Sequence, residues 1–270
     1  MILAEPAPAK LNLALHVRGK LPDGRHAIET LFAFCIDGDR LLAEPHEAIT
    51  LHVEGPMAAQ LDRDEDNLVL RAAHALRERT PLMLDGGARL TLDKRLPVAS
   101  GIGGGSADAA ATLRLLTRLW NIDPAHATAV APTLGADVPA CLLSMTARGD
   151  GAGDRLVLAD DPAIAGTPVL LINPRIALST ATVFAAWDGI DHGPLGDWRS
   201  GRNDLEPAAR ALVPQIGAIL YWLAEQPGAG VVRMSGSGAT CFALFDSDAA
   251  RDAAAAACPS SWWHLASVLR

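Results

Sequence analysis

The stretch Pro97-Val98-Ala99-Ser100-Gly101-Ile102-Gly103-Gly104-Gly105-Ser106-Ala107 joins two segments with different hydrophobic periods. Residues 88–94 alternate between apolar and polar side chains, which predicts a strand, and residues 106–119 are rich in Ala and Leu, which predicts a helix. Glycines let a backbone approach a ligand closely, and the first amides of a helix carry a partial positive charge. The stretch therefore predicts an anion site suited to a polyphosphate.

Two better-known glycine loops fit this stretch poorly. A Walker loop requires Lys followed by Ser or Thr, and no Lys follows these glycines. A dinucleotide fingerprint requires Gly or Ala where Ser106 stands, and Asp123, the acidic residue at about the right separation, lies between two predicted helices. From the residues alone, an ordinary flexible loop in which Ser106 caps the helix remains the alternative.

The composition bounds the class of protein. The chain has 270 residues, of which 50% are hydrophobic and 20% charged, a balance typical of a folded globular protein. The net charge of −8 argues against non-specific binding to nucleic acids or to anionic membranes. We therefore expect a small-molecule ligand, with no nucleic-acid partner and no membrane partner.

The cysteines and the first six residues indicate in which cellular compartment to expect the protein. Cys35, Cys141, Cys241 and Cys258 form no Cys-x-x-Cys pair, which argues against a disulfide framework and a zinc site. The segment 1–6 lacks the features of a signal peptide, and no apolar run reaches the roughly 18 residues of a membrane helix. We expect a cytoplasmic protein, and nothing in the sequence indicates its oligomeric state.

Two single residues outside the glycine stretch are candidates for chemistry. The chain uses Arg for most of its basic residues and has Lys only at Lys10, Lys20 and Lys94, a bias that codon usage by itself explains. Considered by itself, Lys10 on its predicted strand is a solvent-exposed residue. Considered by itself, Asp137, two residues before a proline, is a helix N-cap. An Asp is also the group that accepts a hydroxyl proton in kinases, and a nearby Lys keeps such a carboxylate ionised.

Two turns have a structural and a functional interpretation. Ser235-Gly236-Ser237-Gly238, between two predicted strands, is typical of a hairpin turn and is also suited to form a backbone wall over phosphates. Asp23-Gly24-Arg25-His26 is a turn by composition, in which His26 is a ligand contact or a solvated residue.

The periodicity predicts an α+β protein of two domains, residues 1–155 and 156–270. In the second domain the order β-α-α-β-β-α-β is that of a ferredoxin-like unit with one extra helix. The predicted strands are 9–17, 31–36, 49–53, 88–94, 168–173, 230–234, 239–245 and 262–269. The predicted helices are 67–79 (capped by Asp66 or Asn67), 106–119, one from Pro124 to about 134, 179–187, 206–225 with a kink at Pro214, and 248–257.

Four motifs, taken in order, resemble those of the GHMP small-molecule kinases. They are PAKLNL (8–13), the glycine stretch, LGADVP (134–139) and MSGSG (234–238). Further stretches, DGRHAIETLF, EDNLVLRAA, LDKRLP and RNDLEPAA, extend the resemblance over residues 8–245, and DGRHAIETLF and AKLN are the most specific of them.

The resemblance implies a ribosomal-S5-like first domain and a ferredoxin-like second domain, with the active site in the cleft between them. It implies transfer of the γ-phosphoryl group of ATP, bound with Mg²⁺, to the 2-hydroxyl of diphosphocytidyl methylerythritol in non-mevalonate isoprenoid biosynthesis. The alternatives are a homoserine or mevalonate type of GHMP kinase, against which DGRHAIETLF argues, and a catalytically silent nucleotide-binding sensor, against which the presence of Lys10 and Asp137 argues.

The resemblance also implies the roles of individual residues. Lys10 and Asp137 match the catalytic pair, in which the Asp orients or deprotonates the hydroxyl. Residues 97–107 match the ATP-phosphate loop. Asn67 and Lys94 match positions near adenine, and no residue is assigned as a metal ligand. The positions on the cytidine and methylerythritol side are Asn12, Arg25, His26, Thr180 and Phe184, where Phe184 would stack on cytosine and His26 would read its edge.

Three positions depart from the family pattern. Arg25 replaces the usual aromatic residue beside the histidine, although a guanidinium also stacks on bases. Ala99-Ser100 stand where glycines are common, which predicts a stiffer loop. Asp108 replaces the usual Asn and is expected in the first turn of the helix, where a negative charge suits the helix dipole but does not help to bind phosphate.

Overall fold

A computed structural model describes residues 1–61, 67–80 and 86–270. By their contacts the residues divide into two compact units, and both are discontinuous in sequence. The first unit is Met1–Ala9, Asp37–Val98 and Gly103–Ser144; the second unit is Lys10–Ile36, Ala99–Ile102 and Met145–Arg270. The domain boundary near residue 155 stays a prediction.

The described residues form ten strands and eight α-helices. The strands are β1 Leu3–Lys20, β2 His26–His46, β3 Thr50–Glu54, β4 Gly87–Asp93, β5 Ala147–Asp150, β6 Arg155–Leu158, β7 Pro168–Asn173, β8 Ala229–Met234, β9 Cys241–Phe245 and β10 Trp263–Val268. The helices are α1 Leu68–Arg79, α2 Gly104–Leu119, α3 Pro124–Leu134, α4 Val138–Leu143, α5 Thr180–Ala185, α6 Glu206–Leu212, α7 Gln215–Ala224 and α8 Asp248–Ala257.

The first unit packs helices against a sheet. The later part of β2 pairs antiparallel with β4, in the register Arg40 to Asp93, and β4 pairs parallel with β3. Helix α2 is buried on most of its circumference, and alanine is the most frequent of its buried residues. Small side chains let α1, α3 and α4 pack closely against it, as expected of a helix that is apolar nearly all round. The helix that carries the glycine stretch is therefore the centre of this unit.

The second unit contains a four-stranded antiparallel sheet in the order β10-β7-β9-β8. This order, with helices α7 and α8 packed on the sheet, is the predicted ferredoxin-like arrangement. Its core includes Leu170, Ile172, Ile216, Ile219 and Phe245. The early part of β2 pairs with β5, and β5 pairs with β6.

Several elements differ from their predicted bounds. The helix predicted over 206–225 is two helices, α6 and α7, that break at Val213 and Pro214, since a proline lacks the amide hydrogen and its ring collides with the preceding turn. Strands β1 and β2 are much longer than the predicted 9–17 and 31–36, and α4, β5 and β6 were not predicted, because segments of four to six residues give little periodicity.

The start of α1 settles one predicted cap. The side chain of Asn67 accepts a hydrogen bond from the amide of Val69 and caps the helix. The other predicted cap, Asp66, lies outside the described residues. In the ranges that the structure describes, no helix is both long enough and apolar enough to cross a membrane.

Candidate active site

The first half of the glycine stretch is fixed in the second unit by the turn between β8 and β9. The Ser235 hydroxyl donates to the Gly101 carbonyl at 3.0 Å and accepts from the Asn12 amide at 3.1 Å. A Cβ at Gly101 would lie 2.5 Å from the Ser235 carbonyl oxygen, and the φ of Gly101 is +78°, so only glycine fits there. The two glycine motifs of the sequence are thus in direct contact.

Asn203 holds the same turn and was not identified by sequence reasoning. Its Nδ2 donates to the carbonyls of Met234 and Gly236, each at 2.8 Å, and its Oδ1 accepts from the Leu205 amide. Its only sequence indication is its place in RNDLEPAA, one of the stretches that resemble the GHMP kinases. On the other side of the turn, the hydroxyls of Thr180 and Ser237 are 2.9 Å apart, so one donates to the other.

Lys10 lies on β1 in the second unit and is buried, which excludes the solvated-face alternative. Its Nζ donates to Asn12 Oδ1 at 2.8 Å and lies 5.4 Å from the centre of the Phe32 ring. The Asn12 amide group is oriented in turn by Thr30, whose hydroxyl accepts from Nδ2 and donates to a backbone carbonyl of β1. The ammonium and the predicted ligand residue Asn12 therefore form one ordered polar group.

Asp137 belongs to the first unit and occupies the N-cap position of α4, with Pro139 at the second helical position. Its side chain accepts no capping hydrogen bond from that helix. The position is thus the one that the structural interpretation predicted, but the carboxylate does not perform the capping function. The partly exposed carboxylate group is compatible with the role of a base.

The N-terminus of α2 has the features of a phosphate site. Gly103, with φ +64°, is the N-cap and supplies no side chain, and the first helical hydrogen bond runs from the Ala107 amide to the Gly103 carbonyl at 2.7 Å. The amides of Gly104, Gly105 and Ser106 precede that bond and point out of the helix. The alternative in which Ser106 caps the helix is wrong, because the helix begins two residues before it.

The departure at residue 99 produces local strain. Ala99 has φ +50°, in the left-handed region where a Cβ costs about 1–2 kcal/mol. Its carbonyl accepts from the Leu178 amide, and the next carbonyl, of Ser100, accepts from the Thr240 amide. These bonds hold the residue in that conformation, and the stiffer loop stays a prediction.

Replacement of Ala99 by glycine should therefore stabilise the protein. We expect Ala99→Gly to raise the free energy of unfolding by about 0.5–1 kcal/mol, the relief of strain minus the greater entropy of glycine in the unfolded chain. Urea unfolding measures the effect. The matched control is Ala253→Gly, at an exposed position of α8, which should lower the free energy of unfolding by a similar amount. Equal losses in both variants would contradict the assignment of strain at Ala99.

Aromatic rings surround the predicted base-reading histidine. His26 stacks on Phe184 with ring centres 4.7 Å apart and meets Trp187 edge-on at 5.6 Å. Among the described residues, neither His26 Nε2 nor Trp187 Nε1 has a hydrogen-bond partner, although both atoms are buried. Burial, together with the charge of Lys20, lowers the pKa of His26, which favours the neutral ring at pH 7. Trp187 was not identified from the sequence.

Arg25 is directed away from these rings. Its guanidinium donates to Asp23 at 2.8 Å and to Asp154 at 3.3 Å, and about half of the side chain is exposed. The carboxylate of Asp23 also accepts from the Arg25 amide, which completes the predicted turn. In this structure the rings beside His26 are Phe184 and Trp187, and the guanidinium of Arg25 forms ion pairs instead.

Lys94, predicted near the nucleotide, is enclosed in the first unit. Its Nζ lies 2.6 Å from Asp39 Oδ2 and 2.6 Å from Asp108 Oδ2, and its side chain is 1% exposed. The role that the structure supports for the ammonium is to hold these two carboxylates. The expectation that Asp108 lies in the first turn of α2 is wrong, because the helix begins at Gly104 and its first turn contains no acidic residue.

A cavity of about 720 Å³ lies beside Asn67 in the first unit. Its walls combine apolar side chains, among them Leu51, Val53, Leu61 and Leu70, with polar groups that include His52 and Asn67. A recess that combines apolar side chains with a few polar groups is typical of a small-molecule site. The place of Asn67 near adenine stays a prediction.

Comparison with known proteins adds to this geometry. The family model for the N-terminal domain of GHMP kinases matches residues 67–145, and the model for the C-terminal domain of GHMP kinases matches residues 186–264. The chain belongs to the GHMP kinase family. It is a kinase of two-domain α+β fold that uses ATP as phosphoryl donor and a small molecule as acceptor.

Relatives of this kinase carry a more specific name. It is 54% identical to a 4-diphosphocytidyl-2-C-methyl-D-erythritol kinase of Rhizorhabdus wittichii, over 98% of this chain and 94% of the relative. A protein of the same name in Novosphingobium aromaticivorans is 50% identical, over 100% and 94% of the two chains.

Solved structures agree with the fold of this kinase. A crystal structure of a 4-(cytidine 5'-diphospho)-2C-methyl-D-erythritol kinase is 33% identical with a TM-score of 0.84, and 99% of each chain is covered. The mevalonate kinase of Methanococcus jannaschii, at 10% identity and a TM-score of 0.71 over 100% of this chain and 98% of the other, shares the fold alone.

Proposed function

We propose that this kinase transfers the γ-phosphoryl group of ATP to the 2-hydroxyl of 4-diphosphocytidyl-2-C-methyl-D-erythritol, in the isoprenoid pathway of its relatives. The observation that carries the proposal is the identity of 54% over nearly the whole of both chains with a relative of that name. The aromatic cluster of His26, Phe184 and Trp187 supports it, because a planar base requires stacking surfaces and polar edges.

Lys10 and Asp137 are proposed as the catalytic pair. Asp137 orients the acceptor hydroxyl and accepts its proton as the oxygen attacks the γ-phosphorus. Lys10, whose ammonium is ordered by Asn12, stabilises the negative charge that develops on the transferring group. The proton leaves the hydroxyl for the carboxylate, and the phosphoryl group leaves ADP for the hydroxyl oxygen.

The glycine stretch and the α2 N-terminus bind the phosphates of ATP. The amides of Gly104, Gly105 and Ser106 donate to phosphate oxygens, and the helix dipole adds a partial positive charge. These donors fit an anion of several oxygens, since glycines leave the backbone accessible. Mg²⁺ arrives on the nucleotide and neutralises part of its charge.

Phe184 is proposed to stack on the cytosine, next to His26. We expect Phe184→Ala to raise the KM for the cytidine substrate about tenfold, since loss of one base–aromatic stack costs about 1–3 kcal/mol. The kcat at saturating substrate and the KM for ATP should change little, and both serve as internal controls. Trp187→Phe, which keeps a ring but removes the indole N–H, separates stacking from hydrogen bonding. An unchanged KM in Phe184→Ala would remove the residue from the substrate site.

One assay tests the proposed substrate. Release of ADP, coupled to a dehydrogenase, is followed with the diphosphocytidyl substrate, homoserine or mevalonate as acceptor. We expect turnover with the first acceptor only. Turnover with homoserine or mevalonate instead would assign the chain to another GHMP activity. Hydrolysis of ATP with no phosphorylated acceptor would favour the nucleotide-binding sensor.

A further inference from the structure

Asp39, Lys94 and Asp108 form a buried charge cluster behind the phosphate-binding end of α2. Lys94 Nζ lies 2.6 Å from one oxygen of each carboxylate, and the three side chains are between 0% and 4% exposed. The second oxygen of Asp39 accepts hydrogen bonds from the amides of Arg95 and Leu96. All the oxygens of Asp39 are therefore satisfied by donors.

Asp108 differs from Asp39 in this respect. Its Oδ1 is buried and has no hydrogen-bond partner among the described residues. With both acids ionised, the cluster carries a net charge of −1 in a medium where an uncompensated charge is costly. A proton on Asp108 makes the cluster neutral, and Oδ1 is the oxygen that no donor occupies.

The cluster lies next to the amides that are proposed to bind phosphate. A Cβ placed on Gly104, the first residue of α2, would be 3.2 Å from Lys94 Nζ and 3.8 Å from Asp39 Oδ2. A net negative charge at this point opposes the partial positive charge of the helix N-terminus and repels an arriving anion. A neutral cluster does neither, so anion binding and protonation of Asp108 favour each other.

Within the described part of the chain, Lys94 and Asp39 are the charges that act on Asp108. The buried residues of α1 and α3, which pack on α2, are all apolar, and those of α4 add one thiol, Cys141. The next charged group on α2 itself, Arg114, pairs with Glu5 at 2.6 Å. Arg95, which follows Lys94, directs its exposed guanidinium to Asp93.

We propose that Asp108 takes up one proton from solvent when the phosphates of ATP bind at α2, and that Lys94 is a positioning residue that holds this cluster against the phosphate-binding turn. The inference rests on the proposed binding of ATP at the glycine stretch. It makes nucleotide affinity depend on pH through a residue that does not touch the nucleotide.

The pKa of Asp108 lies close to physiological pH. Burial raises the pKa of Asp108 to about 7, with Lys94 opposing the rise and Asp39 adding to it. A bound anion raises this pKa further, so the protein binds more protons with nucleotide than without it. By linkage, nucleotide affinity is then greatest below pH 7 and falls as the pH rises from there toward the higher pKa of the complex.

Calorimetry with the full chain measures the proton directly. Binding of the Mg²⁺ complex of a non-hydrolysable ATP analogue is titrated at pH 7.5 in two buffers of different ionisation enthalpy, for the wild type, Asp108→Asn and Asp123→Asn. Asp123→Asn is the matched control, because it removes one carboxylate at the cap of α3 and keeps a capping oxygen. Subtraction of the Asp108→Asn value removes protons taken up by the ligand itself.

At pH 7.5 we expect the wild type and Asp123→Asn to take up roughly half a proton more than Asp108→Asn, because Asp108, with a pKa of about 7, is already partly protonated before nucleotide binds and stays partly ionised afterwards. We also expect the dissociation constant of the wild type to weaken about fivefold more than that of Asp108→Asn between pH 6 and pH 8.5, the scale of charge effects at helix termini. Equal proton uptake and parallel pH profiles in the three proteins would overturn the proposal.

Two further readouts keep the test decisive. If Asp108→Asn fails to fold, the infrared difference spectrum of the wild type decides, because nucleotide must produce a protonated-carboxyl band; its absence overturns the proposal. Normal nucleotide binding and proton uptake without turnover of the cytidine substrate would instead overturn the proposed function. A wild type that binds no nucleotide would overturn both.

Discussion

Replacement of Asp137 by asparagine is expected to lower kcat by roughly 10²–10⁴, the usual contribution of a positioned general base. Asparagine has nearly the same shape as aspartate but cannot accept the hydroxyl proton. Asn is also as good an N-cap as Asp, so α4 should begin at the same residue in the variant. The loss should therefore be confined to the chemical step.

The measurement is steady-state ADP release with saturating ATP and acceptor, together with the melting temperature. Asp123→Asn is the matched control: Asp123 occupies the cap of the neighbouring helix α3, where its side chain does accept a hydrogen bond, from the amide of Ala125. It should keep a near-normal kcat. A near-normal kcat in Asp137→Asn as well would show that the assignment of the base is wrong.

Replacement of Lys10 by alanine is expected to lower kcat by a similar factor, roughly 10²–10⁴, because the charge that stabilises the transferring group is lost. The Lys10 ammonium is the donor that orients Asn12 Oδ1, so part of the loss should appear as a higher KM for the acceptor. The remaining bond of Asn12, from Nδ2 to Thr30, stays in place and should preserve the strand.

Lys20→Ala is the matched control for this variant, because Lys20 lies at the exposed end of the same strand. Its charge contributes to the lowered pKa of His26. The comparison is therefore made at pH 8, where the histidine is neutral with or without Lys20. Lys20→Ala should retain kcat, and retention of kcat by Lys10→Ala would exclude the ammonium from the catalytic step.

Local sequence patterns predicted most elements of the fold. The strand over 168–173 and the helix over 248–257 have their predicted bounds, because the first is a short apolar run, the second is rich in Ala, and turn or capping residues flank both. The break in the helix at Pro214 was foreseen as a kink, since proline acts on its own turn. The short helix α4 was missed because six residues give little periodicity. The true length of β2 was missed because pairing with distant strands, and not local periodicity, determines where β2 ends.

The sequence identified some residues of the candidate site and missed others. Lys10, Asn12, His26 and the glycine stretch were assigned from motifs with a characteristic residue order, and Phe184 only as a position that the family resemblance implies. Trp187 was not, because a tryptophan at the end of a short helical pattern has no feature that distinguishes a ligand-site residue from a core residue. Asn203 was missed since its contacts to the glycine turn span about thirty residues of sequence.

By itself, the sequence determined the family and the order of the motifs, because these depend on residue type and on order along the chain. Only the tertiary structure decided what each charged side chain meets. Lys94 is separated from Asp39 by 55 residues and from Asp108 by 14, and Ser235 is 223 residues from the Asn12 amide to which it bonds. Such partners are brought together by packing, so burial and ion pairing, which control whether Lys94 reaches a ligand or Asp108 holds a proton, have no local pattern in the sequence.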